Sequence, residues 1–149
     1  MNTINAGIIG FGYMGHFHLN KARQLEELEV VSAYDIDAEK RSDAEKEGLT
    51  SYDRLEDFLA DERISLVFIC TPNNVHASIA MDCLRAGKHV LCEKPAARTY
   101  EEALEMQRVQ HETGKVLNIG VVNRFNDSVN LIKQYIDSGK LGDVFHVYI

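Results

Sequence analysis

Apolar positions along this chain come in two rhythms that alternate. Short β-rich runs at Ile4–Ile9, 30–34, 64–70, His89–Cys92 and 116–122 are separated by longer stretches with helical spacing at 14–25, 38–47, 75–86 and 99–113. The run at 64–70 is apolar almost throughout, the mark of a parallel strand covered on both faces. Punctuation supports the helices. Gly48, Gly87 and Gly114 stand where helices should stop. Thr99 and Glu102 have the spacing of a capping box, and Asp53 is placed to cap a short helix carrying Leu55, Phe58 and Leu59. Strands separated by helices imply βαβ crossovers, hence an α/β fold with a doubly wound parallel sheet. After residue 122 the rhythm changes. A helix to about Ser138, a Gly139/Gly142 turn and an alternating run at 144–149 read as the start of a second, truncated α+β domain. The predicted division is 1–122 for the first domain and 123–149 for a connecting helix and one strand of the second.

Composition narrows the class without choosing a chemistry. The 149 residues are 45% hydrophobic and 26% charged, with 16 Lys+Arg against 23 Asp+Glu and a net charge of −7. That suits a folded, acidic protein and is a poor match for a nucleic-acid backbone, so no nucleic-acid partner is expected. No apolar run approaches the roughly 18 residues of a membrane span, and no basic-then-apolar leader opens the sequence. Both predict a cytoplasmic protein with no membrane partner. The odd count of three cysteines, Cys70, Cys83 and Cys92, fits free thiols in a reducing compartment.

Candidate chemistry begins at Gly10-Phe11-Gly12-Tyr13-Met14-Gly15. The G-x-G-x-x-G pattern is weak alone, but here it follows a strand and opens a helix, the setting of a Rossmann dinucleotide site. Gly10 permits the turn, Gly12 lets a pyrophosphate approach the backbone, and Gly15 lets helix and strand pack closely. The helix start offers N–H groups to the anion. Asp35 lies 20 residues beyond Gly15, at the end of the second strand, where a carboxylate accepts from a ribose 2′-hydroxyl and repels a 2′-phosphate. The expected cofactor is therefore NAD rather than NADP, with Asp37 a rival for the ribose role.

Two further runs carry a family resemblance. Cys70-Thr71-Pro72-Asn73-Asn74-Val75-His76, and Ala86-Gly87-Lys88-His89-Val90-Leu91-Cys92-Glu93-Lys94-Pro95, resemble the Gfo/Idh/MocA oxidoreductases, the group of glucose–fructose oxidoreductase and inositol dehydrogenase. Asn123-Arg124-Phe125 and Ser138-Gly139-Lys140-Leu141-Gly142 look similar to that family too. The resemblance implies hydride transfer between a nicotinamide and a hydroxyl-bearing carbon of a sugar, polyol or cyclitol. It also implies a substrate domain with an Asp-x-x-x-His pair, absent from this sequence, and a homo-oligomeric full-length form.

On this resemblance Lys94 is the expected catalytic residue, a cation beside the reacting oxygen. It sits at the carboxyl end of a parallel strand, where open α/β sheets bind ligands. Pro95 fixes the backbone after it, in a peptide bond for which cis is accessible. Glu93 is expected to orient Lys94 or touch a ribose. Thr71, Pro72 and Asn73 match the family's cofactor loop, with His76 either touching the cofactor or holding the loop. Arg124 either reaches nicotinamide and substrate or lies on the surface between domains. His16 and His18 are two apart on a helix and face different ways, so no metal site is expected. The reading from another class is a non-catalytic dinucleotide sensor on the same fold. A methyltransferase is disfavoured by Glu93-Lys94-Pro95.

Overall fold

A computed structural model describes residues 3–148. Six parallel strands, β1 (Ile4–Ile9), β2 (Leu28–Tyr34), β3 (Thr50–Tyr52), β4 (Leu66–Ile69), β5 (His89–Cys92) and β6 (Leu117–Ile119), form one sheet in the order β3-β2-β1-β4-β5-β6. The chain leaves β1 toward β2 and β3, then returns to the other side of β1 for β4 onward. That reversal opens a crevice at the carboxyl ends of β1 and β4, the switch point where doubly wound sheets bind ligands.

Both faces are covered, which is why β4 reads as unbroken apolar sequence. On one face α1 (Tyr13–Ala22) and α2 (Ala38–Lys46) bring Leu19 and Ala44 against Ile8, Phe11 and Phe68. On the other, α3 (Leu55–Ala60), α4 (His76–Arg85) and α5 (Tyr100–Thr113) bring Phe58, Leu84 and Met106 against Ile9, Val67 and Ile69. Gly7 in β1 makes room for this second layer, since a Cβ there would lie 2.5 Å from the Phe58 ring.

Several expected boundaries move. The edge strand β3 is missing from the sequence reading because its three residues, Thr50, Ser51 and Tyr52, show no apolar period. The last sheet strand is shorter than 116–122 and gives way to a 3₁₀ turn over Val122–Phe125. Asp53 does not cap α3: the helix starts one residue later, with Arg54 at the cap and no side-chain hydrogen bond to it. Glu56 and Asp57 in its first turn complement the dipole instead. Thr99 does cap α5, accepting from the Glu102 N–H at 3.2 Å, but Glu102 reaches back to the Arg98 N–H at 2.9 Å rather than to Thr99.

Beyond the sheet, α6 (Asp127–Asp137) forms as expected, with Asn126 accepting from the Val129 N–H. The expected strand at 144–149 is not one among the described residues. Residues 144–148 make no ladder and are exposed, and Ile149 lies outside the described residues. A strand needs a partner for its backbone groups, and none of the described residues supplies one.

Candidate functional site

The glycine loop builds the floor of the crevice. Gly10 turns with φ of 89° against the Cys70–Thr71 backbone, and Gly15 sits so close beneath it that a Cβ would lie 2.5 Å from the Gly10 carbonyl. Gly12 differs: an added Cβ would meet nothing within 4 Å. Packing within the chain does not explain its lack of a side chain, whereas approach by a ligand does. Asp37, Thr99 and Asn126 cap α2, α5 and α6 with their side chains, whereas α1, like α3 and α4, has no side-chain cap, and its first turn carries no acidic residue. Its free N–H groups and positive dipole end face the crevice.

Asp35 ties this loop to β2. One carboxylate oxygen accepts from the Phe11 N–H at 2.8 Å and the other from the Asp37 N–H at 2.9 Å. Each oxygen keeps a lone pair for a hydroxyl. Asp37 instead caps α2, its Oδ1 accepting from the Glu39 N–H at 2.9 Å, and it is Asp35 that lines the cavity beside Gly10. Phe11 contributes its backbone only. Its ring is fully buried, 4.4 Å from the His16 ring, so only its main chain is left to face a cofactor.

Thr71 divides two cavities. One, of about 340 Å³, is lined by Gly10, Asp35, Ile36, Pro72 and Ile79 as well as Thr71. The other, of about 560 Å³, runs past Tyr13, Met14 and Asn73 to His18, Glu93 and Lys94. The Thr71 hydroxyl is buried between them with no hydrogen-bond partner among the described residues. An orphaned hydroxyl, an uncapped helix start, open space at Gly12 and a carboxylate with spare lone pairs together fit a dinucleotide. Its adenosine half suits the Asp35 side and its nicotinamide half the Lys94 side.

At the far cavity the sequence reading is partly redrawn. His76 is 1% exposed, and its ring nitrogens lie 2.7 Å from the Pro95 carbonyl and 2.8 Å from that of Thr71. Neither nitrogen remains for a ligand, so His76 joins the Thr71 loop to the Lys94–Pro95 turn, whose peptide bond is cis. Lys94 is exposed and lines both this cavity and an adjoining one of about 590 Å³ that also carries Arg124, Asn118 and Phe125. Lys94 and Arg124, 30 positions apart, thus meet at one opening.

His18, weighed in the sequence only as a metal ligand, also lines this cavity. Its Nε2–H donates to Glu93 Oε1 at 2.9 Å, and its ring stacks on Phe68 at 5.2 Å between centroids. No local signal reveals it, because its partner lies 75 residues away. The cysteines stay out of the chemistry. Burial pushes the Cys83 and Cys92 thiols up to about 12 and Cys70 higher still, far from reactive thiolates. Among the described residues, no three His, Cys, Asp or Glu side chains are grouped to hold a metal ion.

The family profile described as oxidoreductase family, NAD-binding Rossmann fold, the Gfo/Idh/MocA group, matches residues 4–121. The chain belongs to the Gfo/Idh/MocA oxidoreductase family. Inositol 2-dehydrogenase of Salmonella typhimurium is 32% identical to it over 98% of this chain and 45% of its own length. The structure of an NAD-binding protein from Listeria innocua superposes with a TM-score of 0.88 at 36% identity, covering 97% of this chain and 43% of that one. Scyllo-inositol dehydrogenase from Lactobacillus casei, with bound NAD(H) and scyllo-inositol, gives 0.85 at 31% identity, covering 95% and 43%. The chain thus spans less than half the length of the Gfo/Idh/MocA relatives it matches. Among the described residues, no helix is long and apolar enough to cross a membrane.

Proposed function

We propose that this chain is the dinucleotide-binding portion of an NAD-dependent oxidoreductase acting on a hydroxyl of a sugar, polyol or cyclitol. The observation that carries the reading is Lys94. It stands at the carboxyl end of β5, beside the cavity that continues from the glycine loop, with its ammonium free of any hydrogen-bond partner among the described residues. When bound, the nicotinamide supplies hydride transfer. The chain's own residues bind and position. The start of α1 holds the pyrophosphate, Asp35 accepts from the adenosine ribose, and Thr71 and Asn73 hydrogen-bond along the crevice. Lys94 stabilises negative charge on the reacting oxygen, and Arg124 meets the substrate from the adjoining cavity. The preference for NAD follows from Asp35, whose carboxylate repels a 2′-phosphate.

The test has two arms. Titration of the chain with NADH and with NADPH, followed by nicotinamide fluorescence, is expected to show NADH binding at least tenfold tighter. Equal affinities overturn the NAD preference, and no binding of either overturns the reading as a whole. In the natural protein that carries this sequence, NADH is expected to accumulate from NAD⁺ with inositols or aldoses. Binding without turnover on any polyol favours the sensor.

A further inference from the structure

The His18–Glu93 pair is not needed to explain dinucleotide binding, yet it occupies the cavity where the nicotinamide half is placed. Its side chains are only 15% and 11% exposed. Glu93 Oε1 accepts from His18 Nε2–H at 2.9 Å, while Oε2 accepts from the Lys94 backbone N–H at 3.3 Å. His18 in turn is fixed by stacking on Phe68 of β4, with Phe17 edge-on at 5.9 Å between centroids. Three elements thus converge to hold one carboxylate at one point of the cleft wall. The other titratable side chains lining this cavity are Tyr13, His76 and Lys94. Both His76 nitrogens face carbonyls, and Tyr13 is largely in solvent, which leaves Lys94 as the opposing charge.

A nicotinamide ring is cationic when oxidised and neutral when reduced. A negative charge on a side chain only 11% exposed therefore acts on one state and not on the other. We propose that His18 is a positioning residue that pins the Glu93 carboxylate, and that this carboxylate biases the site toward the oxidised dinucleotide. The inference rests on the reading of the cleft as a nicotinamide site. Glu93 supplies the field, and His18 holds it there with a charge-assisted hydrogen bond. Lys94 pulls in the opposite sense.

The test compares NAD⁺ and NADH dissociation constants by calorimetry on the chain itself, without turnover. Glu93→Gln preserves shape and removes charge, and is expected to weaken NAD⁺ about five- to tenfold while leaving NADH within twofold. His18→Ala is expected to follow it. His18→Gln, which restores an N–H donor, is expected to recover most of the preference, a rescue that loss of packing alone does not predict. Lys94→Gln is expected to shift the ratio the other way. If both forms bind and Glu93→Gln weakens them equally, this inference is overturned while the dinucleotide reading stands. If neither form binds the unaltered chain, both fall together.

Discussion

At the scale of single residues, Asp35 does two things that a sequence motif credits to one. Beside the ribose contact proposed for it, its carboxylate fastens the Phe11 and Asp37 N–H groups at 2.8 and 2.9 Å, so the shape of the glycine loop depends on it. Asp35→Ala is therefore expected to weaken NADH by about tenfold or more, the loss of charged hydrogen bonds worth roughly 1.5–3 kcal/mol, and to erase the preference over NADPH. Paired titrations with the two dinucleotides measure both effects. Lys94 is the contrasting case, its side chain exposed and without a hydrogen-bond partner among the described residues. Lys94→Ala is expected to keep the melting temperature and to leave NADH affinity within a few-fold. Turnover in the natural protein is expected to fall by about 10²–10³, the scale of one lost electrostatic stabiliser. Unchanged turnover sinks the catalytic role.

At the scale of elements, what aims the site is the contact of α1 with β1. Gly15 rests on the Gly10 carbonyl so tightly that a methyl group there must push the helix away, since the obstructing atom is backbone. Gly15→Ala is expected to cost about 1–3 kcal/mol, as overpacking does, and to weaken dinucleotide binding with it, because the displaced helix start is the proposed anion site. Gly12→Ala separates the two effects. Its Cβ has open space, so the melting temperature is expected to hold while affinity drops. A fall in stability as large as that of Gly15→Ala contradicts the assignment of Gly12 to ligand approach.

At the scale of the whole molecule, one carboxylate gathers segments far apart in sequence at the amino ends of β4 and β5. Asp61 accepts from Arg63, from the Ser32 hydroxyl of β2 at 3.1 Å and from the Tyr52 hydroxyl of β3 at 3.0 Å. Its backbone carbonyl receives the buried Lys88 ammonium at 2.7 Å. The Arg63 guanidinium above all, against the opposing cost of burial, holds the Asp61 carboxyl well below the usual carboxylate range. A carboxyl whose folded value is depressed stabilises the fold above its unfolded value and loses that contribution as pH falls below it. Asp61→Asn is expected to cost about 1–2 kcal/mol at neutral pH. The gap in melting temperature between the two proteins is expected to shrink once the pH drops below about 4. A gap that is constant from pH 3 to 7 refutes the ionic origin of the effect.

How much of this was legible in the residues follows from the range of the forces involved. Most of the strand and helix order, β3 excepted, and the glycine loop that opens α1 were readable, because hydrophobic period, turn chemistry and motif spacing are properties of neighbouring positions. The alternation at 144–149 misled for the complementary reason: period shows that a segment can be a strand, but only a pairing partner makes it one. Asp37 as helix cap, Phe11 as buried ring and His76 as strut were equally undecided by sequence, since the side chain is the same whichever way the backbone turns it. His18 and Glu93, 75 positions apart, meet only when α1 is laid across β4 and β5. Sequence alone thus determined the α/β architecture and the dinucleotide loop, which depend on local pattern. The tertiary structure decided which polar groups were spent holding the protein together and which were left facing the cleft, because that depends on contacts between residues the chain keeps far apart.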